Sequence, residues 1–307
     1  MGQAFEKSIL PRSKKPSKAK IVSLERACKL LGITRQAIYQ RESRAKLRAN
    51  ELAPVKAMVL EIRRFMPRLG GRKLYFLLKP KFIEQGISLG RDAFFSYLKN
   101  EHLLVKPKRS YTKTTFSKHW MKKHPNLLKY KQPSKPKEVF VSDITYVQSA
   151  QGVHYLSLET DAYSRKIMVY ELSDEMKATD VVKALDMTIN NPEYQCNTIH
   201  HSDRGLQYCS RVYQVKLHEN GITPSMIDGY DCYQNALAER INGILKQEFL
   251  LYKCQNLKEL SELVEESILT YNEMRPHLIL GMETPNQVHK KTRRKSYWPS
   301  IKSVNVF

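Results

Sequence analysis

Three carboxylates stand where an α/β chain can turn them toward one another. Asp143 interrupts the apolar run VFVSDITYV, which reads as a strand ending there. Asp203 runs off the end of a second buried strand in IHHSDRG, ahead of a glycine turn. Glu239 falls in the first turns of a helix predicted over Asn235 to Phe249, with 35 residues between it and Asp203. Carboxylates at the strand ends of an open α/β sheet gather at one edge. Three together repel one another, so their simplest shared purpose is to hold hard divalent cations, Mg2+ or Mn2+, through oxygen. Two such ions about 3.5–4 Å apart activate an attacking hydroxyl and stabilise the leaving oxygen of an in-line phosphoryl transfer. Taken singly, each residue has an ordinary alternative, since Asp after a strand is a common cap and Glu on a helix surface is commonly just solvated.

The helix that carries Glu239 supports a joint purpose. Leu237, Ile241, Ile244, Leu245 and Phe249 form an apolar stripe, while Asn235, Glu239, Asn242 and Lys246 recur at i, i+4, i+7 and i+11 on the opposite side. Glu239 then faces a metal while Lys246 reaches a phosphate. Asn235 either caps this helix or touches nucleic acid.

The elements that must position these groups begin at Glu138. Val139-Phe140-Val141, His154 to Thr160 and Lys166 to Leu172 read as three strands of an antiparallel meander. A helix follows over Ala178 to Asn190, then a buried strand over Asn197 to Ser202, a helix over Ser210 to Asn220, a short strand over Ile222 to Ser225 and the long helix. That order predicts a ribonuclease H-like α/β fold, a mixed five-stranded sheet with flanking helices, across residues 138–250. Residues 251–307 read as a C-terminal helix and a basic tail.

Upstream, the texture is all-α and basic. Residues 1–137 carry 34 Lys and Arg against 8 Asp and Glu, and residues 138–307 carry 18 against 22, within a formal net charge of +22. A basic front on a slightly acidic body suits a nucleic-acid grip attached to a core whose carboxylates hold metal. Residues 1–20 read as a disordered basic tail. Residues 21–50 read as a helix-turn-helix, with an approximate capping box at Ser23, Ala27, Leu30 and Leu31 at helical spacing, a turn at Gly32-Ile33-Thr34, and a second helix from Arg35 to Ser43 with Ala37 and Ile38 inward. That helix presents Arg35, Gln36, Gln40 and Arg41 to a DNA groove; a helical hairpin that only packs is the alternative. Residues 51–105 read as a second helical DNA-binding module beginning at Pro54, and 106–137 as a basic linker. The 5 cysteines are scattered and never in a C-x-x-C pair, which argues against a disulfide framework and a thiolate zinc site. No apolar stretch approaches the roughly 20 residues of a membrane span, so the expected location is cytoplasmic, on the nucleoid.

SDITYV, DAYSRKIMVY, HSDRGLQYCS and NALAERINGILKQEF, with the 35-residue gap, Lys246 seven places after the glutamate and the closing YNEMRPHLILGMETP, together resemble the integrase catalytic core of DDE transposases, in particular OrfB-type products of bacterial insertion sequences. The resemblance covers about residues 20–290. It implies a transposase that cuts and joins DNA strands at element ends, with Asp143, Asp203 and Glu239 holding two Mg2+ ions that Mn2+ can replace. It also implies double-stranded DNA as partner, homo-multimers on paired ends and an upstream reading-frame partner. One departure is Gln234, where relatives commonly carry Asp. Of the remaining polar groups, one of His200 and His201 is expected to pack and the other to orient Asp203 or DNA. Arg204 and Gln207 are expected on the scissile strand and Tyr208 stacked on a base. Tyr271, Asn272, Arg275 and His277 read as a helix end folded back on the core in a structural role, with Arg275 the one among them expected to meet a phosphate. Rival functions at this point are a non-catalytic DNA-binding regulator, a ribonuclease H-type nuclease on RNA–DNA hybrids and, a distant third for want of an amphipathic helix with exposed Trp or Phe, a basic membrane-surface protein.

Overall fold

The computed structural model describes residues 23–106, 120–129, 132–191, 198–228 and 235–291. The expected basic tails at 1–20 and from 292 on, Gln234 and part of the expected linker lie outside the described residues. The chain divides into two compact units, residues 1–56 and 57–307.

In the first unit, α1 (Leu24–Leu31) begins where Ser23 Oγ accepts the Arg26 N–H at 3.3 Å and ends at Gly32, whose φ of 64° the next turn requires. Thr34 Oγ1 accepts the Ala37 N–H at 3.1 Å and starts α2 (Arg35–Phe65). The turn between two helices is where the sequence places it, and Arg35, Gln36, Gln40 and Arg41 are all exposed. Two expectations fail. Ala37 is exposed and Ile38 only half-buried, and the buried residue of α1 is Cys28. The second helix does not stop near Ser43 but continues through Pro54. An interior proline removes one hydrogen bond, and its neighbours here, in ELAPVKAMVLE, are mostly strong helix formers that sustain the helix.

In the second unit, α3 (Gly71–Glu84) and α4 (Arg91–Asn100) pack through Leu74, Leu78, Phe82, Phe94 and Leu98, with the Phe82 and Phe94 rings 5.8 Å apart. Glycine at 71 is a packing requirement: a Cβ there would lie 3.0 Å from the Phe95 ring.

The sheet has the order β3-β2-β1-β4-β5, built from β1 (Val139–Gln148), β2 (Val153–Asp161), β3 (Ile167–Ser173), β4 (Ile199–Ser202) and β5 (Thr223–Met226). The first three are antiparallel, and β4 and β5 run parallel to β1, as the ribonuclease H-like reading requires. α5 (Ala178–Ile189), α6 (Leu206–Cys209) and α7 (Arg211–Glu219) cover one face through Val181, Leu185, Tyr208, Tyr213 and Leu217. The other face of β1 meets α8 (Ala236–Ile244), where Val139 and Val141 pack with Ala162 and Ala238. The edge strand β3 is closed by α9 (Leu257–Glu273). Asn272 takes the Ile167 N–H at 3.0 Å and donates to the Ile167 carbonyl at 2.9 Å, blunting an edge that would otherwise offer both groups to another strand. Tyr271 O–H donates to the Arg165 carbonyl at 3.0 Å, so the segment from Tyr271 does fold back on the core. Further on, α10 (Pro285–Lys290) is started by a capping box between Thr284 and Gln287.

Candidate functional site

β1 does not end at Asp143, as the sequence suggests, but continues to Gln148 because its pairing with β2 runs on through Gln148↔Val153. What ends is the other ladder. β1 pairs with β4 over Val139↔Ile199, Phe140↔His200 and Val141↔His201. Two residues further along the same register, Asp143 comes level with Asp203, just past the last residue of β4. The polar break in the apolar run therefore marks the end of one partner, not of the strand. Side chains alternate along a strand, so Asp143 shares the face of Val139 and Val141, the face that α8 covers.

α8 supplies the remaining groups. Asn242 Nδ2 donates to Asp143 Oδ2 at 2.8 Å. Glu239 lies in the first turn, and burial followed by the Asp203 carboxylate raises its pKa. Asp143 is raised further, to about 7, by burial first, then by Asp203 and Glu239, against the stabilising Asn242 hydrogen bond. Lys246 is half-buried and held below the usual lysine value by desolvation, with Asp143 pulling the other way. Asp203 is fixed locally, its Oδ1 accepting the Gly205 N–H at 2.9 Å. A Cβ on Gly205 would lie 3.0 Å from that oxygen, so the glycine of HSDRG leaves room for the carboxylate. Asn242 is the group that inspection of the sequence placed on the right face without giving it a task.

The residues present fit a hard divalent cation. Two carboxylates on adjacent strands and a third from a helix press on one another electrostatically. Beside them, Asn235 Oδ1 and Asn242 Oδ1 are buried without a hydrogen-bond partner among the described residues. In the side-chain positions shown, no three ligating groups among the described residues are close enough to enclose an ion.

Several expected contacts are placed otherwise. Asn235 precedes α8 but makes no capping hydrogen bond; it is buried, and its Nδ2 reaches the Ser142 carbonyl at 3.3 Å, pinning the start of α8 to β1. Tyr208 does not face a base. It is 1% exposed, and its hydroxyl donates to Ser142 Oγ at 3.1 Å. Gln207 Nε2 donates to the Met176 carbonyl at 3.1 Å. His200 and His201 are both buried, His200 Nε2 against Tyr213 Oη at 2.8 Å and His201 Nδ1 against Ser225 Oγ at 2.9 Å. Arg204 is half-buried directly after Asp203. Asp161, which opens the DAYSRK motif, is buried and serves the turn after β2, accepting the Lys137 N–H at 2.9 Å and the Ser164 N–H at 2.8 Å.

The largest correction concerns Arg275. Its guanidinium is 1% exposed and forks onto Glu248, Nε to Oε2 at 2.9 Å and NH2 to Oε1 at 2.7 Å, while NH1 meets His277 Nε2 at 3.0 Å. It lies 5.9 Å from the centre of the Tyr271 ring. No phosphate can reach it without breaking that fork. His277 is held well below the usual histidine range by burial and then by Arg275, so it is the neutral acceptor this geometry needs. Glu248 belongs to a further difference from expectation: the long helix is α only to Ile244, and Leu245–Phe249 widens into a π-helical turn. Such turns recur at functional sites. This one holds Lys246 on the side of Asp143 and Glu248 on the side of Arg275.

The chain matches models of the integrase core domain over residues 133–232 and 220–285. It is 33% identical over 270 residues to an uncharacterized 31 kDa protein of insertion element IS600 from Shigella sonnei, covering 86% of this chain and 97% of that protein. It is 28% identical to the transposase InsF for insertion sequence IS3A of Escherichia coli, over 88% of this chain and 94% of InsF. Among solved structures, the magnesium-bound catalytic core domain of HTLV-2 integrase aligns with a TM-score of 0.42 at 20% identity, over 50% of this chain and 97% of that one. Among the described residues, no helix is long and apolar enough to cross a membrane.

Proposed function

The chain belongs to the integrase core family, among the transposases of insertion sequences, and from that premise we propose that it cuts and joins DNA strands at element ends by Mg2+-dependent phosphoryl transfer through Asp143, Asp203 and Glu239. The observation that supports this reading is the shared register of β1 and β4, which sets Asp143 level with Asp203 on the sheet face that α8 covers with Glu239. Bound there, two Mg2+ or Mn2+ ions supply Lewis acidity to the attacking and leaving oxygens. The protein's own groups do the rest. Asp143, with a pKa near 7, releases its proton to act as a ligand, and Asn242 holds the carboxylate in place as it does so. Gly205 fixes Asp203. Lys246, on the π-helical turn, meets a phosphate of the scissile strand, and Arg204 the strand beside Asp203. Arg35, Gln36, Gln40 and Arg41 read a terminal repeat in a DNA groove. The working form is a homo-multimer on paired ends, with an upstream reading-frame partner.

The test is cleavage and joining of labelled duplexes carrying the element's ends, with Mg2+ or Mn2+, comparing the native protein with Glu239→Gln. Metal-dependent products present in the first and absent in the second are the expected result. Equal binding by both with no cutting by either, even with the upstream partner supplied, would replace this reading with a regulator that only binds.

A further inference from the structure

Ser142 precedes Asp143 in β1, and its side chain lies on the opposite face of the sheet, fully buried. It is tied to three elements at once. Its Oγ accepts the Tyr208 O–H at 3.1 Å and donates to the Leu158 carbonyl at 3.2 Å, while its own carbonyl accepts from Asn235 Nδ2 at 3.3 Å. Each tie ends next to one carboxylate of the cluster. Tyr208 is on α6, five residues after Asp203; Leu158 is the β2 residue paired with Asp143; Asn235 lies four residues before Glu239. The tie to Asn235 follows from where β4 stops. Carbonyls alternate sides along a strand, and that of Glu138 points to β4, accepting the Ile199 N–H at 3.1 Å. Four residues on, the Ser142 carbonyl points the same way, past the Val141↔His201 pair where the ladder ends, and Asn235 fills the rung that β4 no longer supplies. The other two ties share one polarity. Burial, then Asp143 and Asp203, hold the Tyr208 phenol well above its usual value, so it stays a donor, and the Ser142 hydroxyl turns its own hydrogen to Leu158.

We infer that Ser142 and Tyr208 are positioning residues for the divalent-cation site, holding the segments that carry Asp203 and Glu239 at fixed distances from Asp143 before any ion arrives. This rests on the reading of the triad as a cation site and adds the frame that tunes it. Three carboxylates that repel one another draw apart in the metal-free protein unless their backbones are tied, and whatever separation they gain must be undone when a cation binds. Neither hydroxyl meets the ion or the DNA, since both lie on the far face of β1 from Asp143. They act through the main chain on either side of it.

The experiment is Mn2+ binding by the full chain, followed by calorimetry, for the native protein, Tyr208→Phe, Ser142→Ala, the double variant and Glu239→Gln, with melting in EDTA measured alongside. Tyr208→Phe removes one oxygen and keeps the ring, which packs edge-on against Tyr213 with centroids 5.4 Å apart. Each single variant is expected to raise the Mn2+ Kd by about tenfold. The double variant is expected to match Ser142→Ala, because the two hydroxyls act through one hydrogen bond. A packing role alone would lower the melting temperature and leave the Kd native; that result would overturn the inference, as would losses that add in the double variant. If Ser142→Ala fails to fold, Tyr208→Phe decides alone. Absence of Mn2+ binding by the native protein, or binding that survives Glu239→Gln, would overturn the triad reading and this frame with it. Binding lost in Glu239→Gln but unchanged in Tyr208→Phe and Ser142→Ala would overturn the frame alone.

Discussion

Asp143 and Glu248 are two carboxylates served by one helical segment, and their surroundings are opposite. Glu248 is forked by a guanidinium that is itself backed by a neutral histidine, so its charge is matched where it stands. Asp143 has the Asn242 amide and the Ile144 backbone N–H as donors against two carboxylate neighbours and deep burial, so in the protein alone its charge is opposed. Removing half of a matched buried pair leaves the other half uncompensated, whereas removing an opposed charge relieves the fold. The matched site holds the π-helical turn in shape, and on the proposed reading the opposed site is completed by a cation from solution.

The sharpest way to break this contrast is to remove a ligand on the opposed side. Glu239→Gln is expected to lower strand cleavage by about a thousandfold or more while duplex affinity in EDTA stays native; retained cleavage in Mg2+ would end the assignment. On the matched side, Arg275→Ala is expected to cost about 3–5 kcal/mol in chemical denaturation, and Arg275→Met with Glu248→Met much less. A loss below about 1 kcal/mol would show that the fork is not structural.

Asp143→Asn tests the sign of the difference. In the folded, metal-free protein this carboxyl titrates near 7, raised from an ordinary value of 3.8. Its contribution to stability is therefore fully present below about pH 4 and lost as pH rises through 7. The variant should be more stable than the native protein at pH 8 without metal, by on the order of 2–3 kcal/mol, and similar to it at pH 4. Mg2+ should raise the melting temperature of the native protein and not of the variant. A difference independent of pH would remove the electrostatic account. Asn242→Ala, which deletes the hydrogen bond to Asp143, should raise the Mg2+ concentration needed for half-maximal cleavage by about tenfold; no change would leave Asn242 a packing residue.

The order of strands and helices along the chain was legible because β-branched and aromatic runs bounded by turns, and helices with an apolar stripe, declare themselves. That Asp143 and Asp203 would meet at the sheet was legible because a polar residue at the end of an apolar run is visible in one dimension. That Asp143 sits in mid-strand was not, since the sequence does not say which of two ladders stops there. The fate of Arg275 was hidden for a related reason. An arginine reads alike whether it meets a phosphate or a carboxylate 27 positions upstream, and the π-helical turn that presents Glu248 breaks the 3.6-residue count used to place it. Tyr208 as a base contact and Asn235 as a cap or DNA contact were both misplaced because nothing in their local pattern reveals that they hold Ser142 from opposite ends. The exposure of Ala37 likewise depends on what packs on the start of α2, which the local pattern does not encode.

The spread of the triad over β1, the end of β4 and α8 also fixes an order of events during synthesis. A chain emerging from the ribosome completes its basic helices first, since domains fold as units from the N-terminus. Asp143 gains its level partner only when β4 arrives, and Glu239 follows 96 positions after Asp143. Arg275, which settles Glu248 behind the π-helical turn, comes later still. A nascent chain therefore completes its basic helices before its carboxylate cluster, and any product cut short before α8 keeps the first without the second.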